Sequence, residues 1–499
     1  MNTTAANSRV HEFCFPVPDA SARVAAASGP ECDRAQRETI VRWRVNRLFW
    51  VKDALSLAIS PAPDDRRAES GMPGQRGFRS WSGDVEVDVR SPLNGDAFCA
   101  MSLAAQIEYL RTWKPEPSDW DGPAREGLAA TLQVEVTTRP MLYFENAGQY
   151  IGLDPMYATA MVRGFSEGLE GKAVPNWKPF WEFASWVLGQ PDPETEIQDG
   201  FSGKTQLGRR WPSCRLEIAR FLDATLNGEL APLPLTERAQ VWRLVAALAR
   251  DPNPSPADEA PGDEPIMDPF TLSQNTVRGV AAHAVFSFVH WIRSESPQTA
   301  LAGQDLDDAP EARAALEAYL DPNRESSQMI RSVVGANLTR LSFWAEAWLR
   351  GHLETIFPAP GHDELREAAW EAFIRFSRPD SKTVALLAPQ YCGAISRMSQ
   401  DPVRKRGHND PRVSLGQHLV VNFCRGDHDF EQPGGLLAAF FARAPEAVRA
   451  EVLALVGRSL DRASGPVPTR VFSRLLWLWN WQLQREPSPG GPGVEDEAA

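Results

Sequence analysis

The sequence predicts an all-α fold, a HEAT-like helical-repeat superhelix, and three observations lead to this prediction. Apolar residues recur with helical spacing through most of the 499 residues. The 41 prolines tend to lie between these apolar segments, as expected for many helices joined by short, stiff connections. After residue 360, predicted helices of about 12–20 residues alternate with short connectors, and stacked helix pairs of this length are the unit of HEAT arrays.

Helical spacing defines a series of segments in chain order. In residues 33–59, the side chains of Ile40, Trp43, Leu48 and Leu55 lie close to one apolar stripe. Similar stripes predict helices at residues 97–113, 123–135, 155–170, 178–188, 212–228, 235–250, 274–293, 309–320, 326–356, 363–376, 382–398, 413–424, 434–442, 445–460 and 467–483.

Two tryptophan pairs stand out within these helices. Trp344 and Trp348 are spaced one helical turn apart, and so are Trp477 and Trp481. We interpret both pairs as core or helix–helix packing, because burial of large rings is the ordinary use of such spacing. Exposed tryptophans on a concave surface would instead be strong interface anchors.

Strand signals are confined to the N-terminal half. The segment DVEVDVR at 84–90 alternates valine with charged residues, which predicts a half-buried strand. A second strand is predicted at 133–144, QVEVTTRPMLYF. Because one strand cannot stand alone, the two could pair as a small β element around 84–144.

Composition shifts divide the chain into five parts. The sequence predicts an irregular segment at 1–30, an N-terminal helical region at 31–250 and an acidic, proline-rich linker at 251–268. A C-terminal helical-repeat region at 269–483 and a disordered tail at 484–499 follow. Residues 60–82, rich in Pro, Gly, Ser and Arg, are predicted to form an exposed loop.

The overall composition excludes several classes of protein. The formal net charge of −13 argues against general binding of nucleic acid or anionic membranes, because phosphate attraction dominates such affinity. The six cysteines include no CxxC pair, which favours a reduced, cytoplasmic setting. No signal peptide is recognisable, and the longest apolar runs fall short of the roughly 20 residues that a membrane span needs.

The sequence contains no motif that predicts catalysis, cofactor binding or metal binding. GFSGKTQLG at 200–208 imitates the end of a phosphate-binding loop, but Gln198 stands where that loop needs glycine. The eight histidines form no HExxH motif, and His283 and His290 are interpreted as ordinary residues on one helix face. No GxSxG nucleophile elbow occurs. We therefore predict no cofactor and no catalytic or metal-binding residues.

The stretch SQNTVRGVAAHAVFSFVHW at 273–291 combines a polar start with a dense apolar helix. Ser273 or Thr271 is predicted to cap the first amides. Gly279 is less favourable in a helix than alanine by about 1 kcal/mol. We expect glycine at such a position where a neighbouring helix approaches closely. Asn275 and Arg278 share a face and are predicted to bridge to carbonyl groups or acids of the adjacent helix.

Several segments resemble one family. DPFTLSQNTVRGVAAHAVF at 268–286 resembles a recurring Asn-Thr/Ser-Val-Arg-Gly segment in the C-terminal helical regions of large bacterial antiphage-defence proteins. RRWPSCRLEIARFLDATL at 209–226 is similar to the segment before it, and MIRSVVGANLTRLSFWAEAWL at 329–349 to the one after it. Residues 370–395, 418–460 and 474–481 resemble the later repeats, so the likeness covers about 200–483.

The resemblance implies a sensor or scaffold rather than an enzyme. It assigns motif or interaction roles to Arg210, Trp211, Asn275, Arg278, Gly279 and Arg331. The implied partner is a protein: an effector, an NTPase subunit or a viral protein. Two alternatives stay open. One is an enzyme with scattered catalytic residues in a groove or in the 60–150 region, and the other is a structural subunit of a larger complex.

Overall fold

The computed structural model of the chain is all-α in the residues that it describes. These residues are 90–115, 122–169, 171, 173–191, 210–252, 254, 259, 267–296, 305–358, 361–378, 380–398, 410–425, 435–461 and 469–483. They belong to one compact unit, Asp88–Ala499. Within them, 21 α-helices and two short 3-10 helices occur and no strand does.

The helices before residue 250 are α1 (Gly95–Cys99), α2 (Leu103–Thr112), α3 (Arg125–Thr138), α4 (Pro140–Phe144), α5 (Pro155–Gly168), α6 (Lys178–Leu188), α7 (Trp211–Leu226) and α8 (Arg238–Leu248). The 3-10 helices are Ala147–Tyr150 and Leu235–Glu237.

The later helices are α9 (Pro269–Ser273), α10 (Val277–Glu295), α11 (Pro310–Leu320), α12 (Gln328–Ala336), α13 (Leu338–Trp344), α14 (Glu346–Ile356), α15 (Asp363–Phe376), α16 (Ser381–Leu386), α17 (Ala388–Arg397), α18 (Pro411–Arg425), α19 (Leu436–Arg443), α20 (Glu446–Asp461) and α21 (Thr469–Leu483).

Seven helices follow one another in space as a central row: α3, α5, α7, α10, α12, α15 and α18. Each packs against the next, and α20 and α21 both pack against α18. Other helices lie against the row: α8 contacts α7 and α10, α11 contacts α10 and α12, and α14 contacts α12 and α15. The row helices therefore have neighbours on more than one side, and any polar group that they bury needs a partner.

The core of the first half of this row is aromatic. Phe144 stacks on Phe180 with ring centroids 5.0 Å apart, and Phe221 of α7 lies 4.7 Å from the ring of Phe180. All three side chains are fully buried. Contacts of this kind add about 0.5–1.5 kcal/mol per pair beyond the burial of area.

The strand predicted at 133–144 is wrong, because these residues form the end of α3 and all of α4. Leu128, Leu132 and Val136 recur at intervals of four and are fully buried, whereas Val134 is 65% exposed. The helical period therefore decides the structure, and packing of α3 against α5 overrides the β-propensity of valine and threonine. Thr137 and Thr138 adapt by donating to carbonyl groups four residues earlier.

The long helix predicted at 326–356 is three helices. α12 ends before Asn337, and the chain bends again at Ala345, where φ is −152° and ψ is 59°. Trp344 and Trp348 therefore lie on successive helices, and not one turn apart on a single helix. Trp348 is buried and stacks on His352 with ring centroids 4.2 Å apart.

Several predictions concern residues outside the described ranges. They are the irregular segment 1–30, the helix at 33–59, the loop at 60–82, residues 84–89 of the first strand, the loop at 200–208 and the tail at 484–499. In the part of the chain that the structure describes, no helix combines the length and the apolar character needed to cross a membrane.

Candidate functional site

The polar start of the 273–291 stretch differs in detail from its predicted structure. α10 begins at Val277, and its N-cap is Thr276, whose side chain makes no capping bond. Ser273 belongs to the preceding short helix α9, where its hydroxyl donates to the carbonyl of Phe270 at 2.6 Å. The predicted cap at Ser273 or Thr271 is therefore wrong, because Asp268 caps α9 and the chain turns once more before α10 starts.

Gly279 lies where α10 passes closest to α9. A Cβ atom at this position would overlap the backbone of Ser273, including its carbonyl oxygen. A Cβ atom at Gly335 of α12 would likewise overlap the backbone carbonyl of Ala369 in α15. Gly279 thus permits the close approach of α9 to α10, and Gly335 that of α15 to α12, because backbone atoms cannot move aside as a flexible side chain can.

Arg278 joins three separate parts of the chain. Its Nη1 donates to the carbonyl of Pro254 at 2.7 Å, and its Nη2 forms an ion pair with Glu325. The side chain is only 10% exposed. Arg278 thus ties α10 to the 251–268 segment and to the loop before α12, and its charge is compensated within the fold.

Glu259, in the same acidic segment, caps the next helix of the row. Its carboxylate accepts from the hydroxyl of Ser327 at 2.6 Å and from the amide of Met329 at 3.1 Å. Ser327 is the N-cap of α12 and accepts in turn from the amide of Ile330 at 3.0 Å. Burial raises the pKa of Glu259, while the bonds from Ser327 and Met329 act in the opposite direction.

Arg331 is among the largest fully buried side chains. Its Nη2 donates to the carbonyl of Leu320 at 3.1 Å, and its Nη1 donates to the carbonyls of Thr355 and Ile356. These carbonyls end α11 and α14, where the helix dipoles are negative. Burial lowers the pKa of Arg331 to about 10, and the charge of Glu325 raises it, so the guanidinium remains charged at neutral pH.

The other three motif residues lie at helix ends. Arg210 is exposed and is the N-cap of α7. Trp211 is half-buried and meets Trp186 edge-on at 5.1 Å. Asn275 is exposed, and its amide donates to the carbonyl of Thr271 at 2.8 Å. Arg278 and Gly279 thus lie at the start of α10 and Arg331 lies within α12, whereas Arg210 and Trp211 belong to the start of α7.

A second polar group, the α7–α10 polar cluster, was not predicted from the sequence. It consists of Asp223, Asn227, His283 and Ser287. The Ser287 hydroxyl donates to Asp223 at 2.7 Å, and the Asn227 amide donates to Ser287 at 2.9 Å. His283 lies one turn before Ser287, and its Nε2 is 2.9 Å from the hydroxyl of Ser273.

The proton positions in this cluster follow from its bonds. Because the Ser273 hydroxyl already donates to Phe270, His283 Nε2 must be the donor to Ser273. The proton of Ser273 points away from the imidazole, so His283 does not activate this serine as a nucleophile. The arrangement fixes the histidine tautomer and holds α9 against α10.

Burial shifts both titratable groups of the cluster. It raises the pKa of Asp223 to about 6, and the bond from Ser287 and the charge of Arg340 partly offset this effect. Burial also lowers the pKa of His283 to about 4, and Arg340 lowers it further. At neutral pH the histidine is uncharged, and Asp223 exchanges its proton near pH 6. Perturbed groups of this kind are candidates for function, although buried structural networks produce them too.

No sequence signal identifies this cluster in advance. Asp223 and Ser287 are 64 positions apart and belong to no motif. Among the residues that the structure describes, no group of three or more His, Cys, Asp or Glu side chains could hold a metal ion.

Comparison of the chain with protein-family models, with curated proteins and with solved structures gave no match.

Proposed function

We propose that this chain is a non-catalytic recognition or scaffold protein, built as a HEAT-like helical-repeat superhelix, that acts with a protein partner. The observation that carries the proposal is the central row, in which each helix packs against the next and is covered by a helix beside it. Stacked helical arrays of this kind present extended surfaces to partners.

The motif residues support the same interpretation. Gly279 permits close approach of α9 to α10, and Gly335 that of α15 to α12, while Arg278 and Arg331 make their bonds to protein carbonyls and to Glu325. A residue that grips a ligand would need unsatisfied donors directed at an open space. The Arg331 Nη atoms instead hold the ends of α11 and α14, and Arg278 ties α10 to two connecting segments, roles expected of residues at repeat junctions.

The resemblance to antiphage-defence proteins gives the proposal its biological setting. We assign the chain a sensor role in bacterial antiviral defence, with an effector, an NTPase subunit or a viral protein as its partner. In that role the chain would recognise the partner and hold it, and a separate protein would carry out the chemistry.

The test is phage plating on bacteria that carry the native locus with its flanking reading frames. Deleting this chain should restore plaque formation, and supplying it from a plasmid should abolish plaques again. Supplying Asp223→Asn instead should protect equally well, because recognition does not require proton transfer. A locus that never reduces plating contradicts the antiviral role. Loss of protection with a folded Asp223→Asn protein would favour an enzyme.

A further inference from the structure

Four side chains on α10 and α13 form a group here called the α10–α13 surface: His290, Arg340 and Phe343, which are exposed, and Trp344, which is half-buried. His290 stacks on Trp344 with ring centroids 6.3 Å apart. The backbone of Trp344 is fixed to α10, since its carbonyl accepts from Arg293 at 3.0 Å. The surface is therefore built on two helices whose relative position is held by specific bonds.

Phe343 is the most unusual member of this surface. Its side chain is 85% exposed, more than any other large apolar residue in the described part of the chain. It follows three residues after Arg340, so the two side chains lie on the same face of α13. A ring exposed to this degree contributes nothing to the core, and burial against a partner would recover its apolar area.

Arg340 supplies a positive charge that the described part of the chain does not neutralise directly. Its only hydrogen bond within those ranges goes to Asn337 at 3.4 Å, and no carboxylate there lies within ion-pair distance. It is nevertheless close enough to lower the pKa values of Asp223 and His283. Arg340 thus stands at the edge of the α7–α10 polar cluster with its guanidinium exposed to solvent.

We propose that the α10–α13 surface binds a protein segment presenting a carboxylate beside an apolar side chain, with the carboxylate paired to Arg340 and the apolar group packed on Phe343. Arginine and aromatic residues are enriched at the energetic centres of protein interfaces. An unpaired arginine on a chain of net charge −13 selects an acidic group by charge complementarity. This inference rests on the proposed recognition function and names the chemistry of its partner.

The experiment is selection of a random twelve-residue peptide library on the immobilised full chain. We expect enriched peptides to carry Asp or Glu within a few residues of Leu, Ile, Phe or Trp. A synthetic enriched peptide should bind Arg340→Glu and Phe343→Ser at least tenfold more weakly than the parent chain. The matched control is Val134→Ser, which alters an exposed apolar residue on α3 and should leave binding unchanged.

A charge exchange separates direct contact from damage to the fold. Replacing the acidic residue of the peptide by lysine should abolish binding to the parent and restore it to Arg340→Glu. Three results would overturn the inference: no enriched peptide, enrichment without acidic residues, or equal binding to the Arg340→Glu variant. The plating test is independent of these results. Peptide binding without antiviral protection would therefore contradict the role in defence but support the α10–α13 surface as a binding site.

Discussion

Asp223 carries a titratable carboxyl group at a half-buried site between α7 and α10. Its pKa is raised to about 6, and that of His283, on the neighbouring helix, is lowered to about 4. Burial also lowers the pKa of His418 to about 4. The Nδ1 of this histidine lies 2.9 Å from the hydroxyl of Tyr391. At the scale of single residues, the chain therefore buries titratable groups whose effects on stability oppose one another.

The sign of each effect follows from which state binds more protons. Between pH 6.5 and pH 4 the unfolded chain protonates both histidines while the folded chain does not, so acidification destabilises the fold through His283 and His418. Between pH 6 and pH 4 the folded chain protonates Asp223 first, so acidification through that range stabilises the fold through this residue.

Asp223→Asn should therefore raise the free energy of unfolding at pH 7.5. A rise in pKa from 3.8 to about 6 corresponds to roughly 3 kcal/mol, at about 1.4 kcal/mol per pH unit. The gain should shrink as the pH falls through 6 and vanish below about pH 3, where the parent carboxyl is protonated in both the folded and the unfolded state. Urea unfolding at pH 7.5, 6.0 and 4.5 measures it. A gain that is the same at all three pH values would contradict the explanation by charge burial.

The glycines give a second prediction at this scale. Gly279→Ala and Gly335→Ala should each destabilise the fold by about 1–3 kcal/mol or more, because the added methyl group meets a neighbouring backbone. Gly351→Ala in α14 is the matched control, since nothing lies within 4 Å of the new atom. Alanine there should stabilise the helix by up to about 1 kcal/mol. Thermal melts of the three variants should show shifts of opposite sign, and a common direction would refute the close-approach argument.

At the scale of elements, the helices follow the periodicity closely, and their deviations have physical causes. The segments predicted at 178–188 and 363–376 have the same bounds as α6 and α15. Periodicity works here because one face of each helix is buried and the other is not. The strand prediction at 133–144 fails because the β-propensity of valine and threonine was followed there against the helical period. At Ala345 no sequence signal marks the bend.

The connections between elements were much less predictable. Arg278 makes bonds to Pro254 and Glu325, which are 24 and 47 positions away. Glu259 lies in a segment whose acidic, proline-rich composition is typical of a solvated linker, yet its half-buried carboxylate accepts two hydrogen bonds at the start of α12. Composition reports the average character of a segment. It cannot identify the single carboxylate that completes a helix cap elsewhere.

Replacing Arg278 should show how much its bonds between elements contribute to the free energy of unfolding. Arg278→Ala leaves Glu325 buried without its partner and the Pro254 carbonyl without its donor, which should cost about 3–5 kcal/mol. Arg350→Ala removes an ion pair with Glu346 on the surface of α14, where Arg350 is 64% exposed, and should cost less than about 1 kcal/mol. Equilibrium unfolding of both variants tests the contrast. Equal losses would mean that Arg278 does not bridge these elements.

At the scale of the whole molecule, burial differs between the middle of the central row and the helices packed on its last member, α18. From Met329 to Gly335, every residue of α12 is buried, and α10 is buried along nearly its whole length. α21 packs against α18 but leaves Phe472, Leu476 and Trp477 between 42% and 52% exposed. In an array of helices stabilised by neighbours, such a difference implies that different parts open independently.

Hydrogen exchange should show this difference in burial as a difference in amide protection. Amides of α10 and α12 should exchange slowest, because opening them breaks contacts with neighbours on both sides along with the bonds of Arg278 and Arg331. Amides of α21 should exchange at least about a hundredfold faster, since opening this helix exposes few side chains that are not already half exposed. Mass spectrometry of peptic fragments at pH 7 provides the measurement. If α21 is protected as strongly as α12, the row unfolds as one cooperative unit, and its stability is not a sum of local interfaces.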